Sequence, residues 1–86
     1  MKTYTIKQPI FELWVNEYGK MWHVTNINEI LYISFHPYDS LQYGASYCFE
    51  EYYKEGYSRF KTLGEAKEWL IDKYNKYVAR NLDEVK

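Results

Sequence analysis

The feature that most constrains this chain is a change of period near its C-terminus. Thr62-Leu63-Gly64-Glu65 has the spacing of a capping box, in which the threonine hydroxyl and the glutamate carboxylate each satisfy an otherwise unpaired amide at a helix start. Beyond it Ala66, Trp69, Leu70, Tyr74 and Tyr77 recur at three- and four-residue spacing, opposite Glu65, Glu68, Asp72, Asn75 and Lys76. The pattern predicts an amphipathic helix over about 63–80, with the closing NLDEVK frayed. Upstream, apolar residues alternate, which is the period of a strand. A single helix covers only one face of the sheet those strands build.

The alternation is clearest in IFELWV, residues 10–15, and MWHVT, residues 21–25, on either side of Tyr18-Gly19. A two-residue Tyr18-Gly19 loop, with glycine at the position needing positive φ, pairs Glu17 with Lys20, Val15 with Trp22 and Leu13 with Val24. That register gathers Phe11, Leu13, Val15, Trp22 and Val24 on the core face. It sets Trp14 opposite His23 on the other face, with Glu12 beside Thr25. A slip of one residue would scatter the apolar set. ILYISF, residues 30–35, supplies a third strand whose Leu31, Ile33 and Phe35 join the core face, and His36-Pro37 ends it.

Residues 41–60 are open to two readings. As a helix, Leu41, Ala45, Cys48 and Tyr52 share a face and Gly56 terminates it. As strands over about 46–53 and 57–61, they flank a Lys54-Glu55-Gly56 loop with a left-handed glycine, which sets Tyr53 against Tyr57 and Glu51 against Arg59. The aromatic content and the weak helix formers Gly44 and Ser46 favour strands. The fold class expected is therefore α+β: one domain, with an antiparallel sheet of four to five strands packed on one face by a C-terminal helix.

Eighty-six residues with one cysteine leave no disulfide framework, so packing or a partner must hold so small a domain together. Eleven tyrosines, three tryptophans and four phenylalanines exceed what such a core can enclose, since each ring buries roughly 150–250 Å². Some rings must be exposed. The net charge of −1 is mixed along the chain, which argues against both a duplex-DNA binder and an acidic DNA mimic. No stretch reads as a signal peptide or membrane span, and the lone Cys48 suits a reducing compartment, so a soluble, cytoplasmic protein is expected.

Chemistry is sparse. His23, His36 and Cys48 are widely separated and fit no metal spacing, and the four glycines are isolated, so no phosphate-binding loop exists. Cys48 in an aromatic strand reads as a small apolar filler before it reads as a nucleophile. Neither catalysis nor a cofactor is expected. Two candidate binding surfaces remain. One is the sheet face away from the helix, where Trp14, His23 and Tyr32 lie with Met21 and Ile30; the N-terminal arm, the 36–43 loop or a second copy of the chain, as a homodimer, are candidates to cover it. The other is the tyrosine- and acid-rich EEYYKEG, with Glu50, Tyr52 and Glu55 available to a basic partner surface. Protein binding is the first expectation. Single-stranded nucleic acid or an RNA–DNA hybrid, stacked on the aromatic face, is the alternative, although only Lys20, Lys54, Arg59 and Lys61 lie near the sheet.

FKTLGEAKEWL, Phe60 to Leu70, resembles the strand-to-helix ending of small accessory proteins encoded by bacteriophages, in which F-x-T-x-x-E-A closes a compact α+β domain. It is also similar to the end of the hybrid-binding domain attached to some ribonucleases H. The phage resemblance implies a small protein that works stoichiometrically, binding and blocking a host protein such as a defence nuclease.

Overall fold

The computed structural model describes residues 8–49 and 54–84, the last five as backbone only. Five strands form one antiparallel sheet in sequence order: β1 (Phe11–Asn16), β2 (Gly19–Val24), β3 (Ile30–Phe35), β4 (Tyr43–Phe49) and β5 (Lys54–Phe60). The helix α1 (Leu63–Glu84) follows β5 after Lys61 and Thr62 and packs over one face. This is the expected α+β arrangement.

The β1–β2 hairpin turns through Glu17-Tyr18 rather than Tyr18-Gly19. Asn16 stands opposite Gly19, Leu13 opposite Trp22, and Phe11 opposite Val24. The expected register is thus displaced by two residues, and the reason is local. Asn16 Oδ1 accepts a hydrogen bond from the Tyr18 amide at 2.8 Å, so the asparagine initiates the turn, and Gly19, at φ 136°, leaves it. A displacement of two preserves which face each side chain occupies. It changes the opposed pairs on the second face to Trp14 with Met21 and Glu12 with His23.

Residues 43–49 are strand, and β5 begins earlier than expected. Phe49 pairs with Lys54, residues 50–53 lie outside the described residues, and Lys54, Glu55 and Gly56 belong to the strand itself. Tyr57 faces Ser46 and Arg59 faces Gly44, while the expected partners Tyr53 and Glu51 lie outside the described residues. Gly56 is not a turn residue. It lies beneath the Tyr47 ring, and a Cβ there would approach Tyr47 Cε1 and Cζ to 2.5 Å. Two glycines, 44 and 56, make room for two tyrosines on opposite faces of one strand pair.

The capping threonine acts as expected: Thr62 Oγ1 accepts from the Glu65 amide at 3.2 Å. The helix runs on to Glu84, past the expected end near Arg80, because Asn81-Leu82-Asp83-Glu84 contains neither glycine nor proline to stop it. Ala66, Leu70 and Tyr74 are buried against Val24, Leu31, Ile33, Ala45 and Phe49. Trp69 and Tyr77 extend this core as an aromatic seam, with Trp69 5.4 Å from Tyr47, Phe60 5.6 Å from Trp69, and Phe49 stacked on Tyr77 at 4.3 Å.

The helix does not reach across the sheet. Strands about 4.8 Å apart put β1 roughly 19 Å from β5, whereas a helix with its side chains is about 10–12 Å wide. Its two-residue link to β5 seats it over β4, with β5 and β3 beside it. Phe11, Trp22 and Val24 still join the core. Leu13 and Val15, expected there as well, are 53% and 66% exposed. The outer half of the β1–β2 hairpin therefore projects beyond the helix.

Candidate functional site

The face opposite α1 is a grid set by strand register. One row runs Glu12, His23, Tyr32, Ser46, Tyr57 across all five strands; the next runs Trp14, Met21, Ser34, Gly44, Arg59. A third places Ile30 opposite Cys48 and Cys48 opposite Glu55. No described element packs over this face. Trp14 is half exposed, as are Ile30 and Tyr57.

Three of the six residues expected to bind a partner come together here. The Trp14 and His23 ring centroids are 4.2 Å apart, tilted by 33°, and His23 and Tyr32 stack at 6.1 Å and 27°. Trp14 reaches His23 diagonally, because its directly opposed residue is Met21. The Trp14 indole N–H points to Glu12 Oε2 at 3.5 Å, which places a carboxylate at the outer end of the row. Glu55 stands on the same face, exposed, at the other edge of the sheet. Glu50 and Tyr52 lie outside the described residues.

Between Tyr32 and Tyr57 the floor drops. Gly44, Ser46 and Cys48 are the open-face residues of β4, and the small side chains of Ser46 and Cys48 leave a shallow groove of about 530 Å³ bordered by Tyr32, Tyr57 and Glu55. Tyr57 leans over Gly44, where a Cβ would come within 2.7 Å of its hydroxyl oxygen. The S-x-C spacing of small residues at 46 and 48 is the sequence signal for this groove, masked by the aromatic residues around it.

Arg59 holds the groove's far side in place. Its guanidinium pairs with Asp39 at 2.7 Å, donates through Nε to the Leu41 carbonyl at 3.0 Å, and donates to the Tyr57 hydroxyl at 3.1 Å. The arginine thereby ties the 36–42 loop to β5 and orients Tyr57. Its charge is committed to Asp39. Lys20 and Lys54 stand on the helix-side face, opposite Val15 and Phe49, and Lys20 Nζ lies 5.5 Å from the Phe35 ring centre. The described residues of the open face carry the carboxylates Glu12 and Glu55 and no lysine.

No group of three or more His, Cys, Asp or Glu among the described residues could hold a metal ion, and no described helix is long and apolar enough to cross a membrane. His36 Nε2 and Ser34 Oγ are 2.8 Å apart, yet Cys48 lies away from both along β4 and has no histidine opposite it. No protein-family model, curated protein or solved structure matches this chain.

Proposed function

We propose that this protein is a non-catalytic protein-binding module that recognises its partner through the open sheet face. The observation that carries the proposal is the continuous Trp14–His23–Tyr32 ring row, left uncovered by the helix and bounded by Glu12 and Glu55. Rings on a rigid sheet offer broad contact area at low entropic cost, and buried aromatics are the usual anchors of an interface. The carboxylates favour a partner with a basic surface. The same charge pattern weighs against nucleic acid: rings on neighbouring strands could stack bases, but a phosphate backbone needs cations beside them, and the one arginine among the described residues of this face is paired.

The likeness of FKTLGEAKEWL to phage accessory proteins supports a host protein as the target, blocked by stoichiometric binding in the cytoplasm. Capture from host lysate on the immobilised protein tests this, comparing the wild type with a folded Trp14→Ala/Tyr32→Ala variant. Retention of a specific protein by the wild type and its loss in the variant is expected; retention indifferent to the substitutions sinks the proposal. Single-strand binding that weakens steeply with salt would put nucleic acid in the partner's place.

A further inference from the structure

The β1 edge carries a second interaction surface. We infer that β1 pairs antiparallel with β1 of a second copy of this chain, about a two-fold axis through Leu13, to make a continuous ten-stranded sheet.

The inference begins at the hairpin. A two-residue loop closes on a pair that exchanges both backbone hydrogen bonds, here Asn16 and Gly19. Alternation then gives Trp14 and Glu12 the same arrangement with Met21 and His23. The N–H and C=O groups of Phe11, Leu13 and Val15 are left pointing to the outer edge, where no described strand meets them.

Edge strands are ordinarily protected by proline, lysine, a bulge or a covering element. Phe11–Asn16 contains no proline or lysine, it pairs with β2 without a bulge, and α1 is seated over the other side of the sheet. Apolar side chains are exposed on both of its faces: Leu13 and Val15 on the helix side, and Trp14, between the exposed Glu12 and Asn16, on the other.

Self-pairing about Leu13 uses every one of these features. Leu13 opposes Leu13, and Phe11 opposes Val15 of the second copy, so each outward backbone group finds a partner and the helix-side face becomes a closed apolar row. On the open face Glu12 meets Trp14 of the second copy, which places a carboxylate beside an indole N–H. A two-fold at Glu12 would instead oppose two carboxylates. One at Trp14 would keep Leu13 opposite Val15 but set Phe11 opposite Glu17, leaving two apolar pairs on the helix side instead of three. The strand is thus most complementary to itself about Leu13, which suits an isologous interface. The two open faces would then lie side by side, with the partner-binding rows of both copies on one surface.

Solution mass and amide exchange test this. Sedimentation equilibrium should give twice the 10.5 kDa chain mass for the wild type. Leu13→Lys and Leu13→Glu, each placing like charges on the axis, should each run as a monomer, and an equimolar mixture should restore the doubled mass as a heterodimer. Amides of Phe11, Leu13 and Val15 should be protected in the wild type and exchange freely in Leu13→Lys, while those of Glu12 and Trp14 stay protected in both. A wild type that remains at 10.5 kDa at about 100 µM, well above the micromolar affinities of ordinary weak complexes, overturns the inference. So does a doubled mass in either single variant, or fast exchange at Phe11, Leu13 and Val15 in the wild type. Leu13 lies on the face opposite the ring row, so loss of dimer with partner capture intact separates this interface from the proposed function.

Discussion

The Tyr47 ring occupies the space above Gly56, its directly opposed residue on β5, so closely that a single added methyl would stand 2.5 Å from the ring. The ring is held from its other sides by Phe49 at 4.7 Å and Trp69 at 5.4 Å, so it cannot simply swing clear. Gly56→Ala should therefore destabilise the fold by about 1–3 kcal/mol through overpacking. In a double-mutant cycle by urea denaturation, Tyr47→Ala should relieve most of the cost of Gly56→Ala, giving strong non-additivity. Additive effects would show that the close approach is not what excludes a side chain here.

Two isoleucines on β3 measure how one-sided the packing is. Ile33 is fully buried under the helix and Ile30 is 55% exposed on the other face. Ile33→Ala should cost about 2–5 kcal/mol, and Ile30→Ala within about 1 kcal/mol. Equal losses in thermal or chemical unfolding would mean that something covers the open face in the isolated protein.

The helix start can be adjusted in both directions. Removing the Thr62 hydroxyl orphans the Glu65 amide, so Thr62→Ala should lose about 1 kcal/mol and Thr62→Ser should retain most of it. Gly64 sits in the first turn with no atom within 4 Å of where a Cβ would stand. Gly64→Ala should gain up to about 1 kcal/mol by restricting the unfolded chain. Unfolding midpoints of the two variants should move in opposite directions.

Alkaline pH should expose a specific weakness at Tyr74. Burial raises its phenol pKa above the ordinary value of 10, and the nearby Glu29 charge adds to the shift. Because the folded state holds the proton more tightly than the unfolded state, Tyr74's contribution is complete below about pH 10 and is lost as pH rises towards the folded pKa. Stability measured from pH 9 to 11 should fall less steeply in Tyr74→Phe than in the wild type.

Several elements were legible because their signals are local. A period of two marks strands, and it assigns each side chain to a face whatever the exact register. Leu31 and Ile33 were therefore placed correctly, and Trp14, His23 and Tyr32 were placed on one surface even though the hairpin closes two residues from where Gly19 alone implied. The helix stripe of Ala66, Trp69, Leu70, Tyr74 and Tyr77 and the Thr62 cap follow from spacing in the same way. Gly56 was misread because glycine serves two purposes, positive φ in turns and close approach in strands, and only the Tyr47 ring distinguishes them.

The sequence by itself determined β1 to β3, the helix and the two faces of the sheet, since these depend on period, caps and chain connectivity; residues 41–60, readable as helix or strand, became β4 and β5 only through pairing with β3 and packing against α1. Which apolar residues are covered was decided only in three dimensions. A helix about 10–12 Å wide, seated over β4, reaches only the Phe11 end of a strand three spacings, roughly 14 Å, away. Leu13 and Val15 carry the same apolar signature as Ile33, yet they sit beyond the helix while Ile33 lies beneath it. The groove over Ser46 and Cys48 arose likewise from neighbours: its tyrosine walls belong to β3 and β5, brought beside β4 only by the pairing of three strands.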